Sequence, residues 1–253
     1  MAHMRHSTFV GFLFGLTLTF LGPLNQVSQA AEAGLPVDVA LVFAIDGSGS
    51  VKRDEFHLQV AAIAEAISAP DITRAIQSGI RGRIAVNFVI WGDAALPSQT
   101  GEWRIIRTLE DALAFGMELQ SQRRQTTGCT GITAGVGDSL LALGRLPVLA
   151  DRKVVDVSGD GSETTFIKRK GKIQWERMSN HSMVAELARK MDVTINGITL
   201  PSDESDLADW YRKNVAFGAN SFVMSVTSRD DFIAAMHWKL LREIGPVATA
   251  GLQ

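Results

Sequence analysis

The chain has 253 residues, of which 46% are hydrophobic and 21% are charged, and its formal net charge is -2. These proportions are typical of a folded globular protein, and they exclude a disordered chain, a collagen-like repeat and a small disulfide-linked scaffold. The near-neutral charge argues against a nucleic-acid-binding protein, so no nucleic-acid partner is expected.

The N-terminal segment has the pattern of a secretory signal peptide. A basic residue precedes an apolar stretch at 9–21, and Ser28 and Ala30 place small side chains before a cleavage site. The apolar stretch has about 13 residues, fewer than the ~20 that span a bilayer, so an uncleaved membrane anchor is the less favoured alternative. We expect a signal peptide at 1–30, a short linker at 31–36, and an exported protein, periplasmic or secreted, with no membrane span after cleavage.

Beyond the linker, apolar strands alternate with amphipathic helices. The run Val37–Ile45 is apolar almost throughout, as in a strand that is buried on both faces of a sheet. Residues 54–68 follow with helical spacing, with Asp54 as the expected N-cap and Pro70 as the expected stop. The other predicted strands are 83–91, 103–106, 153–157, 193–199 and 221–226. The other predicted helices are 109–119, 130–143, 182–191, 207–214 and 229–244.

This alternation predicts an α/β domain over 37–244, followed by a C-terminal tail at 245–253. Strands that are separated by helices pair in parallel, with helices on both faces of the sheet. We therefore expect a doubly wound, mostly parallel sheet, with 103–106 as one short antiparallel edge strand. Such sheets bind ligands beyond the carboxyl ends of their strands.

Oxygen-bearing side chains occur at three places along that edge. The loop Asp46-Gly47-Ser48-Gly49-Ser50 directly follows the first strand, Thr130 precedes a helix, and Asp160 lies between two glycines after another strand. Mg²⁺ prefers about six oxygen ligands, which hydroxyls and carboxylates can supply. Each piece alone is commonly a turn, but their shared position predicts one metal site. Its five candidate ligands are Asp46, Ser48, Ser50, Thr130 and Asp160.

The same residues carry a resemblance to a known family. The run Phe43–Ser50, with Phe56 six residues after it, resembles the von Willebrand factor type A domain. That family has a metal-ion-dependent adhesion site, in which an Asp-x-Ser-x-Ser loop is joined by a threonine and a second aspartate. The resemblance extends over essentially all of 37–244, and segments 156–161 and 194–197 are similar to an exported bacterial subgroup with no settled function. It implies a Rossmann-like, doubly wound fold and a bound Mg²⁺, Mn²⁺ or Ca²⁺ ion.

The resemblance also implies how the site works. Ser48, Ser50 and Thr130 would contact the metal directly, whereas Asp46 and Asp160 would act through water. One coordination position would stay open for an Asp or Glu side chain of a protein partner. The expected function is therefore metal-dependent, adhesion-type protein binding without catalysis.

Two other functions stay open. A serine hydrolase could use Ser48 or Ser50 with His181 as its base, although the loop lacks a Gly-x-Ser-x-Gly elbow because Asp46 stands where the first glycine belongs. Alternatively, the metal could stabilise a structural domain that engages no ligand.

Two local features have more than one interpretation. The segment 162–180 is longer than a tight connection requires and carries five basic residues. It could overhang the metal edge and attract acidic ligands, but we favour a solvated hairpin around Lys170-Gly171. Cys129, beside Thr130, is expected to be a small buried hydrophobic residue, with a disulfide to a partner as the alternative.

Overall fold

The computed structural model describes residues 34–169, 172–177 and 182–245, without the side chains at 166–169, 172–175 and 182. This part of the chain contains nine strands and seven helices. The strands are β1 (Val37–Asp46), β2 (Ile84–Trp91), β3 (Gln99–Thr100), β4 (Arg104–Ile106), β5 (Ala150–Gly159), β6 (Thr164–Arg169), β7 (Lys172–Arg177), β8 (Val193–Thr199) and β9 (Val223–Ser225). The helices are α1 (Arg53–Ile67), α2 (Pro70–Gln77), α3 (Leu109–Gln120), α4 (Ile132–Gly144), α5 (Ser182–Met191), α6 (Leu207–Asn214) and α7 (Asp230–Ile244). The predicted signal peptide and nearly all of the predicted tail lie outside the described residues.

The main sheet is mostly parallel and has the order β3-β2-β1-β5-β8-β9, with β4 also paired to β2. Strands β2, β1, β5, β8 and β9 are parallel to their neighbours. The short strands β3 and β4 pair with β2 in the antiparallel direction. The predicted fold class is confirmed, including the edge strand predicted at 103–106, and β3 adds a two-residue strand beside it.

Helices cover both faces of the sheet, as a central parallel sheet requires. On one face α1, α2, α3 and α7 pack over alternate β1 side chains that include Leu41, Phe43 and Ile45. On the other face α4, α5 and α6 pack over the intervening residues, among them Val42 and Ala44. Since successive side chains of a strand point to opposite faces, the apolar residues of β1 are divided between the two cores, and Asp46 lies at the carboxyl edge.

One sequence prediction near α1 is wrong, and one helix was not predicted. The N-cap of α1 is Lys52, and Asp54 lies inside the first turn, where it forms an ion pair with Arg229 at 2.5 Å. Pro70 does not only end the preceding helix, because it is the first residue of α2, a helix that the sequence analysis did not predict. Proline suits this position because the first turn of a helix needs no backbone N–H donor there.

The long segment after Asp160 contains an antiparallel hairpin of β6 and β7. This agrees with the favoured interpretation of a hairpin, and its tip, Lys170-Gly171, lies outside the described residues. Among the helices of the described residues, none is long and apolar enough to cross a membrane.

Candidate metal centre

The loop after β1 begins with a fully buried carboxylate. Asp46 is the last residue of β1 and pairs in register with Trp91 of β2. Its Oδ1 accepts a hydrogen bond from the backbone N–H of Ser48 at 2.8 Å, which folds the loop back toward the strand. Its Oδ2 forms no hydrogen bond with the described residues. A buried carboxylate oxygen without a donor is energetically costly, so this atom requires a partner.

Hydroxyl groups join the first loop to the loop after β5. Ser48 Oγ and Ser50 Oγ lie 3.1 Å apart, and Ser50 Oγ donates to Asp160 Oδ1 at 2.8 Å. Ser48 is buried, whereas Ser50 is exposed at the edge of the sheet. Because β1 and β5 are neighbouring parallel strands, their carboxyl ends hold these three side chains together.

Thr130 lies beside the same loops. It directly precedes Gly131, the N-cap of α4, and is buried. Its Oγ1 would be 3.7 Å from a Cβ on Gly161, the residue after Asp160. Its backbone exchanges hydrogen bonds with Thr164 at the start of β6, since Thr130 N donates to Thr164 Oγ1 and Thr164 N donates to Thr130 O, both at 3.0 Å. The structure therefore brings all five predicted residues to one edge of the sheet.

Two side chains outside the motif hold the loops in place. The amide of Gln59, fully buried on α1, donates to Asp46 O at 3.0 Å and accepts from Ser158 Oγ at 2.6 Å, so it links the ends of β1 and β5. Arg124 Nη1 donates to Ser48 O at 3.2 Å and to Val51 O at 2.5 Å. Arg124 thereby ties the first loop to the segment that leads to Thr130.

The pKa values of the two aspartates, Asp46 and Asp160, show how the site treats negative charge. Burial, together with the charge of Asp160, raises the pKa of Asp46 from its ordinary 3.8 to about 7, against the lowering effect of its hydrogen bonds from Ser48. Burial also raises the pKa of Asp160, despite the hydrogen bond from Ser50. Both carboxylates are therefore in an environment that disfavours their charged forms, and a cation would reverse this.

Two glutamates near the site were not predicted from the sequence. Glu204 follows β8; its Oε1 accepts from Ser162 N at 3.0 Å, and a Cβ on Gly161 would be 3.5 Å from this oxygen. Glu163 Oε2 accepts from the backbone N and the hydroxyl of Thr133, in the first turn of α4, at 2.8 and 2.6 Å. The position of Glu204 after a parallel strand was the signal that could have placed it at this edge.

A tyrosine was also missed. Tyr211 on α6 is fully buried, and its hydroxyl makes no hydrogen bond with the described residues. Burial and the surrounding carboxylates, first Asp46 and then Asp160, hold the pKa of Tyr211 well above its ordinary value of 10. Nothing in the spacing of the α6 sequence distinguishes this side chain from an ordinary core residue.

The donor chemistry at this edge fits a hard divalent cation. The described residues contain no cluster of three His, Cys, Asp or Glu side chains able to hold a metal ion. The candidate site instead combines two carboxylates with three hydroxyls, all of them oxygen ligands suited to Mg²⁺, Mn²⁺ or Ca²⁺. The partnerless Oδ2 of buried Asp46 is the specific observation that a cation, or water bound to it, would satisfy.

The residues of the alternative interpretations are placed as follows. His181, the predicted base of a serine hydrolase, lies outside the described residues, so that hypothesis stays a prediction. Cys129 is 4% exposed, which agrees with a small buried hydrophobic residue.

Solved structures with this architecture define the class of fold. The chain is similar to a von Willebrand factor type A protein from Catenulispora acidiphila (TM-score 0.55, 12% identity, 83% of this chain and 43% of that one). It is also similar to the pilus adhesin SpaC from Lactobacillus rhamnosus GG (TM-score 0.56, 12% identity, 82% and 30%). A third is proximal thread matrix protein 1 from the mussel byssus, with a zinc-occupied MIDAS motif (TM-score 0.50, 18% identity, 84% and 46%). The fold is therefore like that of von Willebrand factor type A domains, and the chain spans less than half the length of each of these proteins.

A family model gives a more particular assignment. It matches residues 36–248, and the chain belongs to this family, which is described as "Protein of unknown function (DUF1194)". No curated protein matches the sequence.

Proposed function

We propose that this protein is an exported domain that binds a divalent cation and uses it to hold a carboxylate of a protein partner. The ligands would be Asp46, Ser48, Ser50, Thr130 and Asp160. The observation that carries the proposal is the hydrogen-bonded series Ser48–Ser50–Asp160 beside the partnerless, buried Oδ2 of Asp46.

The chemistry of the site supports a metal that keeps an exchangeable position. Two carboxylates would supply two negative charges, which equal the charge of a divalent cation. The hydroxyls are neutral ligands and add no further negative charge. A divalent cation so held can attract a further anionic ligand, since Mg²⁺ usually retains water or substrate oxygens in its shell. We propose Mg²⁺ as the resident ion, with Mn²⁺ or Ca²⁺ as substitutes.

The charges around the site make the cation necessary for an acidic partner. Asp160, Glu163 and Glu204 lie at or beside this edge, and Glu204 is offset by a base, Arg177, at 3.3 Å. A partner carboxylate that approaches them without a metal meets like charges, which disfavour the contact. Partner binding should therefore be strictly metal-dependent. The similarity to a pilus adhesin and to a protein with a zinc-occupied MIDAS motif supports this type of function.

Acetate, a small carboxylate that ends in the same group as an Asp or Glu side chain, tests the proposal. The metal-free protein, in excess over Mn²⁺ so that the ion is protein-bound, would be mixed with ¹³C-labelled acetate, and the width of the carboxyl resonance measured by NMR. Direct coordination to Mn²⁺ should broaden this resonance. Acetamide, which is similar in size but uncharged, is the matched control and should be broadened much less. Equal broadening of the two carbonyl carbons would contradict carboxylate capture.

A further inference from the structure

Tyr211 is the one tyrosine in the chain, and it is buried on α6. The ring crosses β8 at Gly197, where a Cβ would lie 2.9 Å from Tyr211 Cδ1. Gly197 pairs in register with Val157, two residues before Gly159 on β5. A side chain at Gly197 would occupy the space of the ring, so this glycine allows the tyrosine to reach the carboxyl edge of the sheet.

The phenol group ends beside the first residue of the metal motif. A Cβ on Gly159 would lie 2.5 Å from Tyr211 Oη and 2.8 Å from Asp46 Oδ2, so both oxygens border the space above this glycine. Neither oxygen forms a hydrogen bond with the described residues, and both side chains are fully buried. Two buried polar atoms left apart would each carry the cost of lost hydration.

The two groups are chemically complementary. A protonated phenol has one O–H to donate, and a carboxylate only accepts. Asp46 Oδ1 already accepts from the backbone of Ser48, whereas Oδ2 has two lone pairs and can accept from a donor on the side of the phenol while it also faces a bound cation or its water. Asp160 and Glu204 also act on the phenol, but Asp160 accepts a hydrogen bond from Ser50, and Glu204 accepts from the backbone of Ser162 and pairs with Arg177 at 3.3 Å.

We propose that Tyr211 Oη donates a hydrogen bond to one water molecule that in turn donates to Asp46 Oδ2, and that this bridge fixes the orientation of the carboxylate at the metal loop. Tyr211 is thus a positioning residue for the site, a role that rests on the proposed metal function. Residues that hydrogen-bond to metal-site side chains in this way typically change metal affinity by about 10–100-fold when mutated.

The contact itself can be tested without metal. Because the chain has a single tyrosine, incorporation of 3-fluorotyrosine gives one ¹⁹F resonance that reports on this hydroxyl. In the metal-free protein, Asp46→Asn should shift that resonance, since the amide replaces a charged acceptor. Asp230→Asn, an exposed acid on α7, is the matched control and should leave it in place. An unchanged resonance in folded Asp46→Asn protein would overturn the proposed hydrogen bond.

The positioning role is tested with Tyr211→Phe, which removes only the hydroxyl. We expect the Mg²⁺ affinity measured by calorimetry to fall about tenfold or more, and the midpoint of thermal unfolding in chelator to fall as well, because a buried polar group loses its hydrogen-bond partner. Wild-type affinity in Tyr211→Phe would overturn the role even if the ¹⁹F shift is observed. If the wild-type protein binds no Mg²⁺, the proposed function fails, and the ¹⁹F comparison still decides whether the hydrogen bond exists.

Discussion

At the scale of single residues, the protonation state of Asp46 decides how much negative charge the site offers to a metal ion. It is buried at the end of β1, and its pKa is raised to about 7, chiefly because burial disfavours the charged form. A metal ion binds the deprotonated carboxylate, so protons and metal compete for the same group. The proposal therefore carries a definite pH dependence.

The affinity for Mg²⁺ should rise with pH and then level off. As the pH rises toward about 7, the dissociation constant for Mg²⁺ is expected to fall by up to about tenfold per pH unit. Above that pH it should be nearly constant, because Asp46 is then already ionised. Calorimetric titrations at several pH values between 5 and 8.5 would measure this. An affinity that is independent of pH across this range would contradict the role of Asp46.

The same shift determines how the metal-free protein responds to pH. The folded pKa of Asp46, about 7, lies above the ordinary value of 3.8, so the folded state binds this proton more tightly than the unfolded chain does. The contribution of Asp46 to the free energy of unfolding therefore declines as the pH rises from 3.8 to about 7. Burial also raises the pKa of Glu243 to about 7, so Glu243 contributes to the pH dependence in the same direction. Asp46→Asn should remove the contribution of Asp46 and leave that of Glu243.

At the level of elements, the close contact between α4 and the sheet positions Thr130. Gly135 on α4 faces Trp91 of β2, and a Cβ at this position would lie 2.3 Å from Trp91 Cγ. Gly137, on the same helix, has no atom within 4 Å of its Cβ position apart from the neighbouring backbone of its own helix. The two glycines thus differ in packing while sharing one helix.

Alanine substitutions at these two positions should have opposite effects. Gly135→Ala should lower the free energy of unfolding by about 1–3 kcal/mol, because Trp91 or the helix must shift. Gly137→Ala, the matched control, should raise it by about 0.5–1 kcal/mol, because alanine favours the helical backbone. Urea denaturation measures both. A Gly135→Ala protein as stable as wild type would show that α4 does not pack this closely.

The elements also show what the sequence could predict. The continuous apolar run of β1 and the helical spacing of α5 and α6 depend on local patterns, and their predicted positions agree closely with the structure. Pro70 was correctly predicted to follow the end of α1, but α2 was missed because the same proline also begins the next helix. The five motif residues could be predicted because each adjoins a strand or helix end, whereas Gln59 and Tyr211 reach the site from helices through tertiary packing that no local pattern reveals.

In the whole molecule, the fold brings oxygen-bearing side chains from four separate parts of the chain to one edge of the sheet. The loops after β1, β5 and β8 and the segment before α4 supply Ser50, Asp160, Glu204 and Thr130 respectively. The near-neutral net charge of -2 therefore conceals an edge rich in carboxylates. A protein with this arrangement should bind a divalent cation in one defined site.

Titration of the metal-free protein with Mg²⁺ by isothermal calorimetry tests this claim most directly. The wild-type protein should bind one Mg²⁺ per chain, Asp160→Asn and Ser50→Ala should bind it at least about tenfold more weakly, and the exposed control Asp230→Asn should match wild type. Circular dichroism would establish that each variant is folded. Equal Mg²⁺ affinity in wild type, Asp160→Asn and Ser50→Ala, or no binding by wild type, would contradict the metal site.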